Sequence, residues 1–556
     1  MRKFLFASTI TLLLLAISLN SSIFVYSSPV AHMMRLPLQK VALDAPLATP
    51  QIGNLITSNA AVPGGVPFCK SGGGTIICLS PAFLKKAYDF PAKLDGTGST
   101  IVLIDAFGDP YIQNDLNLFS STFGIPTTTV TVLCPPSFTG ALTDQCAPLS
   151  DFTNPTPGSR ADLCGAGGWG TESVLDVTMA HGLAPGAKII LVEAASCFDD
   201  DLNAAEAAVV SQPSLKGSIM SQSFGEPDDQ VDPAIRAQAD ATYALARANG
   251  WTVMASSGDW GANTDIIDLG TTELTPSWPS TNPNNLAIGG TQGNPDGGQY
   301  HFGFGATPKI DTCAAGATCN IGLVIINGGA NGCTTTPRPG PATSCVPTGY
   351  GAEGAWNEFI PRGTIGLVTG GGISSYYARP AYQAGLPNTF KTLLGSSVSA
   401  AGFRLVPDVA FNSVTNGGVL SPFFTGSGLT SPLADGTAVC SGNSSPNCPV
   451  WYVFGGTSAS SPAWAAIIAL ANQANGKPVG FISPAIYNLG MGNNQGNQQG
   501  NPFHDIRVGN NSVTAGLFGI DGFKAGPGYD LTTGWGTPNV AVFIPSLISE
   551  LNQNQQ

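Results

Sequence analysis

Gly455-Gly456-Thr457-Ser458-Ala459-Ser460-Ser461-Pro462 lies between a strand-like Val450-Trp451-Tyr452-Val453-Phe454 and an apolar run from Ala463 to Leu470. Paired glycines let a backbone turn sharply and approach its neighbours closely. A hydroxyl at such a turn sits at the amino end of the helix that follows. There the unpaired N–H groups and the positive end of the helix dipole favour a developing anion. A serine nucleophile needs those surroundings. The same residues would also serve as a plain helix cap, so the reading turns on whether the rest of the chain supplies a base.

Composition narrows the setting. The chain has 556 residues, room for several domains or one large one with insertions. Only 10% of residues are charged, against roughly 25% in typical soluble domains. The net charge is −13, which argues against nucleic acid as a partner. A surface with few carboxylates loses little when acid protonates them. Low charge together with 70 glycines suggests an extracellular and acidic setting.

Arg2 and Lys3, the apolar run from Phe4 and the serines up to Ser28 read as a secretory signal over residues 1–28. An uncleaved anchor is the alternative, because no clean A-x-A cleavage site is present. The twelve cysteines fit secretion and fall as near neighbours: Cys69/Cys78, Cys134/Cys146, Cys164/Cys197, Cys313/Cys319, Cys333/Cys345 and Cys440/Cys448. Local spacing suggests disulfides that pin loops, although connectivity does not follow from sequence.

Residues 29–65 read as an amino-terminal arm or short pro-segment. Beyond them, Ser99–Asp105, Ala187–Glu193, Gly217–Ser221 and Trp251–Ser256 are apolar runs suited to buried parallel strands. Helix-like stretches at Glu172–His181, Asp200–Val210 and Pro233–Ala248 alternate with them, predicting an α/β fold with a mostly parallel central sheet. Residues 292–355 read as a loop-rich Cys/Gly insertion decorating that sheet. The stretch Ile482–Pro538 reads as loop-rich, and residues 549–556 as a polar tail.

A G-T-S-x-S-x-P string first suggests a serine paired with histidine and aspartate. The four histidines are His32, His181, His301 and His504. None opens a helix with the surroundings such a base requires. Glu172-Ser173-Val174-Leu175-Asp176 offers a different base, since its i, i+4 spacing puts two carboxylates on one helix face. A solvated face is the plain reading, but Val174, Leu175, Val177 and Met179 point to burial. Carboxylates held close share a proton and titrate together, which favours work in acid.

Glu172-x-x-x-Asp176, Ala180-His181-Gly182-Leu183-Ala184-Pro185-Gly186-Ala187-Lys188-Ile189, Ser256-Ser257-Gly258-Asp259-Trp260-Gly261 and Gly455–Pro462 together resemble the sedolisins, the serine-carboxyl peptidases. The resemblance spans residues 66–548 as a peptidase domain and implies a subtilisin-like fold. Carried over, it makes Ser458 the nucleophile, Glu172 the general base and acid, and Asp176 the group orienting Glu172. Asp259 becomes the carboxylic acid that donates to the oxyanion, a role consistent with its place after a strand at a Gly-flanked turn. A turn aspartate is the alternative reading. Asp105, after the first strong strand, is read as structural because no histidine accompanies it.

The resemblance also implies one Ca²⁺ ion held by the side chains of Asp505 and Asp530 and the carbonyls of Ile506, Gly526 and Gly528. Such an all-oxygen set suits a hard cation. Gly370–Ser374 and Ser221–Gly225 are similar to the family's substrate-side strands, and equally to a sheet edge with a glycine turn. Phe224 stands where the family pattern has tryptophan, and only residues 29–65 stand where the family carries a long pro-domain. The expected protein is a secreted, monomeric peptidase acting on proteins or peptides, off the membrane once the signal is removed. A conventional subtilisin-like protease and an inactive binding protein on the same scaffold are the alternatives.

Overall fold

A computed structural model describes residues 49–50, 53–57, 68–71, 74–134, 155–264, 273–293, 312–329, 332–334, 345–358, 367–415, 418–424, 449–492, 500–515 and 518–553. The apolar runs become the centre of the molecule. β1 (Thr100–Ala106), β2 (Thr131–Leu133), β3 (Lys188–Ala194), β4 (Ile219–Gln222), β5 (Thr252–Ser256), β6 (Leu286–Gly293), β7 (Glu353–Ala355) and β8 (Val409–Asn412) form one sheet. Its order is β7-β6-β5-β4-β1-β3-β2, with β8 also paired to β6. β7 runs antiparallel to β6, and every other pairing is parallel.

Successive side chains of a strand point to opposite faces, so each run of apolar residues fills two cores. Ile101, Leu103, Ile189 and Leu191 pack on one face, beneath α1 (Ile112–Phe123), α2 (Ala166–Leu183), α5 (Thr457–Asn475) and α6 (Val540–Gln553). Val102, Ile104, Ile190 and Val192 pack on the other, beneath α3 (Asp199–Val210) and α4 (Pro233–Ala248). Asp232 caps α4, accepting from the N–H groups of Ala234 at 2.7 Å and Ile235 at 3.2 Å. α5 is buried continuously from Thr457 to Asn472, which explains why its sequence is apolar all round rather than on one stripe.

Three stretches read as loop-rich or polar hold regular structure as well. Within residues 292–355 the described residues include a three-stranded sheet of Thr318–Asn320, Val324–Asn327 and Val346–Tyr350, with disulfides Cys313–Cys319 and Cys333–Cys345 beside it. Ile321, Leu323, Val324 and Ile326 sink into the main core. The stretch Ile482–Pro538 contains a helix, Ser483–Gly492. The polar tail begins inside α6, because Leu551 packs on the core and Glu550 accepts from Asn488 at 2.8 Å. Cys164 and Cys197 are joined, tying the approach to α2 to the loop after β3. Cys78 and Cys134 are also disulfide-bonded. The signal, residues 1–28, the positions Cys146, Cys440 and Cys448, and the side chain of Cys69 lie outside the description.

Candidate active site

The carboxyl ends of β1, β4 and β5 open on the same edge of the sheet, where α/β proteins place their sites. The sheet order reverses between β4 and β1, and α2 and α5 pack against each other over this edge. Ser458 enters from α5. Gly456 stands before the helix at φ 96°, ψ 160°, a conformation that glycine adopts without the penalty a side chain would bring. This puts Ser458 in the first turn, fully buried. Its hydroxyl donates a 3.3 Å hydrogen bond to the Ser223 carbonyl just beyond β4. Pro462, four residues on, has no N–H to give the Ser458 carbonyl. The Ser223 hydroxyl approaches that carbonyl at 3.5 Å instead.

Glu172 and Asp176 lie one turn apart on α2, both fully buried. Ser223 joins the two halves of the site, since its hydroxyl also donates to Asp176 Oδ1 at 2.9 Å. Burial pushes the Glu172 carboxyl well above its usual range, and the negative neighbours Asp176, Asp105 and Asp259 push it further. The Ser458 hydroxyl acts on Glu172 in the opposite direction. Burial likewise raises Asp176, with Asp105 adding to it. Asp105, at the end of β1, is itself buried and is raised by that burial to about 7. Neither Glu172 nor Asp105 has a closed hydrogen bond to either carboxyl oxygen among the described residues. Asp105, read from the sequence as structural, thus lies near enough to act by its charge on both Glu172 and Asp176. Its position at the carboxyl end of the first strand was the available sign.

Asp259 follows β5 and is buried. Its Oδ1 accepts from the Thr457 N–H and the Thr457 hydroxyl, each at 2.8 Å, fixing it beside the start of α5. The Gly258 N–H donates to the same hydroxyl at 3.1 Å, and the Val368 N–H donates to the Asp259 carbonyl at 2.8 Å. Burial raises its carboxyl to about 8, with the Glu358 charge contributing, against the pull of the two Thr457 bonds. An acid so placed is protonated through the acidic range and can donate.

The histidines are engaged elsewhere. His181 closes α2 with its Nε2 2.9 Å from the Pro126 carbonyl, and burial lowers it to about 4. His504 stacks on Tyr350 at 3.8 Å between centroids. No imidazole hydrogen-bonds Ser458 among the described residues. His32 and His301 lie outside them.

Of the two substrate-side stretches, Ser221-Gln222 closes β4, while Phe224–Pro227 forms a separate strand between Thr49–Pro50 and Ser277–Trp278. Gly370 packs against the loop that carries Asp259. A Cβ there would fall 1.9 Å from the Ser257 carbonyl, so only glycine fits.

The carboxyl-terminal residues predicted to hold a metal converge. The Gly528 N–H donates to Asp505 Oδ1 at 3.0 Å and the Gly526 N–H to Asp530 Oδ2 at 2.9 Å, so both carboxylates bracket one glycine turn. Asp530 is buried, which raises it to about 6, and Thr532 and Thr533 donate to its Oδ1. Asp505 pairs with Arg507 at 2.7 Å. The carbonyls of Ile506, Gly526 and Gly528 accept no hydrogen bond among the described residues. Two carboxylates with three available carbonyls are a donor set of the kind a hard cation takes.

Residues 161–489 match the Subtilase family. Kumamolisin of Bacillus sp. (strain MN-32) is 30% identical over 479 residues, covering 86% of this chain and 65% of its own length. Sedolisin of Pseudomonas sp. (strain 101) is 24% identical over 472 residues, covering 84% of this chain and 61% of its own length. This chain thus spans less than two thirds of either relative. The solved structure of Pseudomonas sedolisin, a serine-carboxyl proteinase, overlays with a TM-score of 0.56 at 22% identity, over 87% of this chain and all of that one. That overlay shows the shared fold. The chain belongs to the subtilase family, and among subtilases it is similar to the sedolisins.

Proposed function

We propose that this protein is a secreted peptidase that hydrolyses peptide bonds of proteins or peptides in acid, with a carboxylate in place of histidine as its base. The observation that carries the reading is a buried serine at a helix amino end, facing Glu172 across a cluster of acids with no imidazole bonded to it among the described residues. Among the described residues no helix is long and apolar enough to cross a membrane. The acidic net charge supports a protein rather than a nucleic-acid substrate, and we read the enzyme as a monomer.

In this scheme Ser458 Oγ attacks the scissile carbonyl while Glu172 takes its proton. Asp176, held by the Ser223 hydroxyl, orients Glu172. One negative charge shared among Glu172, Asp176 and Asp105 is enough for a base, and a second meets repulsion in a dry site. Burial and mutual repulsion raise these acids, so the group shares its first negative charge and resists a second. Asp259, protonated, and the backbone N–H of Ser458 receive the oxyanion, as preorganised donors do. Glu172 then returns the proton to the leaving nitrogen, and water releases the acyl group by the reverse steps.

Asp505, Asp530, Ile506, Gly526 and Gly528 would hold one Ca²⁺, which would neutralise the two carboxylates and brace their loop. That loop supports the site indirectly. The Thr532 carbonyl accepts from the Thr369 hydroxyl at 3.1 Å, and the Gly370 N–H donates to the Gly258 carbonyl at 2.6 Å, next to Asp259.

The test is mass spectrometry of the products from one denatured protein at pH 3–4, with the native chain, Ser458→Ala and Glu172→Gln. The native chain should cut and both variants should lose most activity, since a positioned general base is worth ~10²–10⁴ in rate. Near-full activity of either variant removes that residue from the scheme.

A further inference from the structure

Asp259 is fixed on two sides, and both sides lead to one buried carboxylate, Glu358. On the first side Leu367–Val368 runs beside the Asp259 loop. The Val368 N–H donates to the Asp259 carbonyl at 2.8 Å, and the Val368 carbonyl accepts from the Gly261 N–H at 2.9 Å. The far edge of this short strand pairs antiparallel with Asn357–Glu358, Leu367 opposite Glu358. On the second side the Thr457 N–H and hydroxyl meet Asp259 Oδ1. The turn before Thr457 rests on the loop after β8, where the Ser413 carbonyl accepts from the Gly456 N–H at 2.7 Å. The Ser413 hydroxyl also lies 2.7 Å from that of Ser460, early in α5. A Cβ on Gly455 would fall 2.8 Å from the Thr415 nitrogen, so turn and loop are in close contact.

Thr415 carries the path back to Glu358. Its N–H donates to Glu358 Oε2 at 2.9 Å and its hydroxyl to Oε1 at 2.8 Å. The Trp356 Nε1–H donates to Oε2, also at 2.9 Å. Glu358 is 6% exposed, and Trp356 and Thr415 are buried with it. A closed ring therefore runs from Asp259 through Thr457, Ser413, Thr415, Glu358 and Val368 back to Asp259. The ring holds two carboxyls in a dry setting, where like charges repel and donors aimed at a carboxylate favour its ionised form. Glu358 meets two N–H groups and a hydroxyl, so the charge belongs there. Asp259 receives both Thr457 donors at Oδ1, so a proton belongs on Oδ2. The Glu358 charge acts on Asp259 in that direction. Glu172, which also interacts with Asp259 by charge, is an acid too and works in the same sense.

We propose that Glu358 is a positioning residue of the peptidase: its carboxylate closes the ring that sets Asp259 against the Ser458 turn, and its charge keeps the proton on Asp259. The proposal rests on the peptidase reading and adds to it what makes the oxyanion acid a donor. Glu358 acts on the reaction through Asp259.

The experiment compares the native chain with Glu358→Gln and Glu358→Ala. A glutamine carbonyl can accept from the Trp356 and Thr415 N–H groups while its amide meets the Thr415 hydroxyl. That variant keeps the ring and loses the charge, whereas alanine loses both. Hydrolysis of one chromogenic peptide at pH 4 reads the ring. Glu358→Ala should lose roughly tenfold or more in kcat with KM little changed, because a misplaced oxyanion donor is missed in the transition state. Glu358→Gln should recover most of that loss. The charge is read without turnover, by urea unfolding of Ser458→Ala chains from pH 4 to pH 9. There Asp259→Asn should gain stability as pH rises and level off near pH 8, where Asp259 ionises in the folded protein. With Glu358→Gln as background the gain should level off about one pH unit lower. This second reading stands on Glu358→Gln alone should the alanine variant fail to fold. Native kcat in Glu358→Ala overturns the ring, and an unmoved levelling point overturns the charge; both leave the peptidase reading standing. A native chain that hydrolyses nothing overturns the peptidase reading, whatever the unfolding curves show.

Discussion

Asp259→Asn should make the protein more stable at neutral pH while abolishing its activity. The asparagine amide reproduces the protonated acid in shape, and its carbonyl can still accept from the Thr457 N–H and hydroxyl, both at 2.8 Å in the native site. In the native chain burial raises the Asp259 carboxyl from 3.8 to about 8. A carboxyl raised on folding contributes stability that is fully present below its unfolded value and lost as pH rises through the folded one. At pH 7 the unfolded chain has released this proton and the folded chain has not. The native protein has then lost roughly 4 kcal/mol relative to pH 3, at 1.36 kcal/mol per unit between 3.8 and 7. The figure holds as long as the folded value stays above 7, because it is then set by the unfolded carboxylate alone. The asparagine variant has no proton to lose. The assay is urea unfolding followed by tryptophan fluorescence at pH 4 and pH 7, with Ser458→Ala in both chains to prevent self-digestion. The difference in unfolding free energy between the chains should shift by several kcal/mol in favour of asparagine from pH 4 to pH 7. Parallel curves would refute the protonated donor.

Two further outcomes follow from the same geometry. Asp105 raises Glu172 by its charge, so Asp105→Asn should move the acidic limb of the kcat/KM profile to lower pH, and an unmoved limb would return Asp105 to a structural role. Chelation should lower the melting temperature, since an ion present at a hundred times its Kd stabilises by ~2.7 kcal/mol; an unchanged melting temperature in a chelator would remove calcium from the account.

The parts of the fold legible in the sequence are those where burial is complete on both faces. β1, β3, β4 and β5 read as apolar runs because parallel strands covered on each side have no polar positions to spare. β6, Leu-Ala-Ile-Gly-Gly-Thr-Gln-Gly, was hidden by its glycines, which depress strand propensity while serving close packing. β8 is only four residues, Val409–Asn412, too short for a period to show. The small sheet in the insertion is stabilised by disulfides and by docking on the main core, neither of which leaves a periodic trace. At the site, Ser458, Glu172, Asp176 and Asp259 were legible because each sits in a local motif. Asp105 showed only its place at the end of a strand, and Ser223 comes beside it only when β1 and β4 become neighbours, a long-range fact that no local spacing encodes.

The central claim is that the serine works with a carboxylate base and a protonated acid donor. The pH dependence of kcat/KM on one peptide substrate, from pH 2 to pH 9, tests it most directly. The account predicts a maximum in acid and a fall by neutral pH, as the acid cluster gains repelling charges and Asp259 approaches its value of about 8. A rate that climbs toward pH 8, as a histidine base would give, contradicts it.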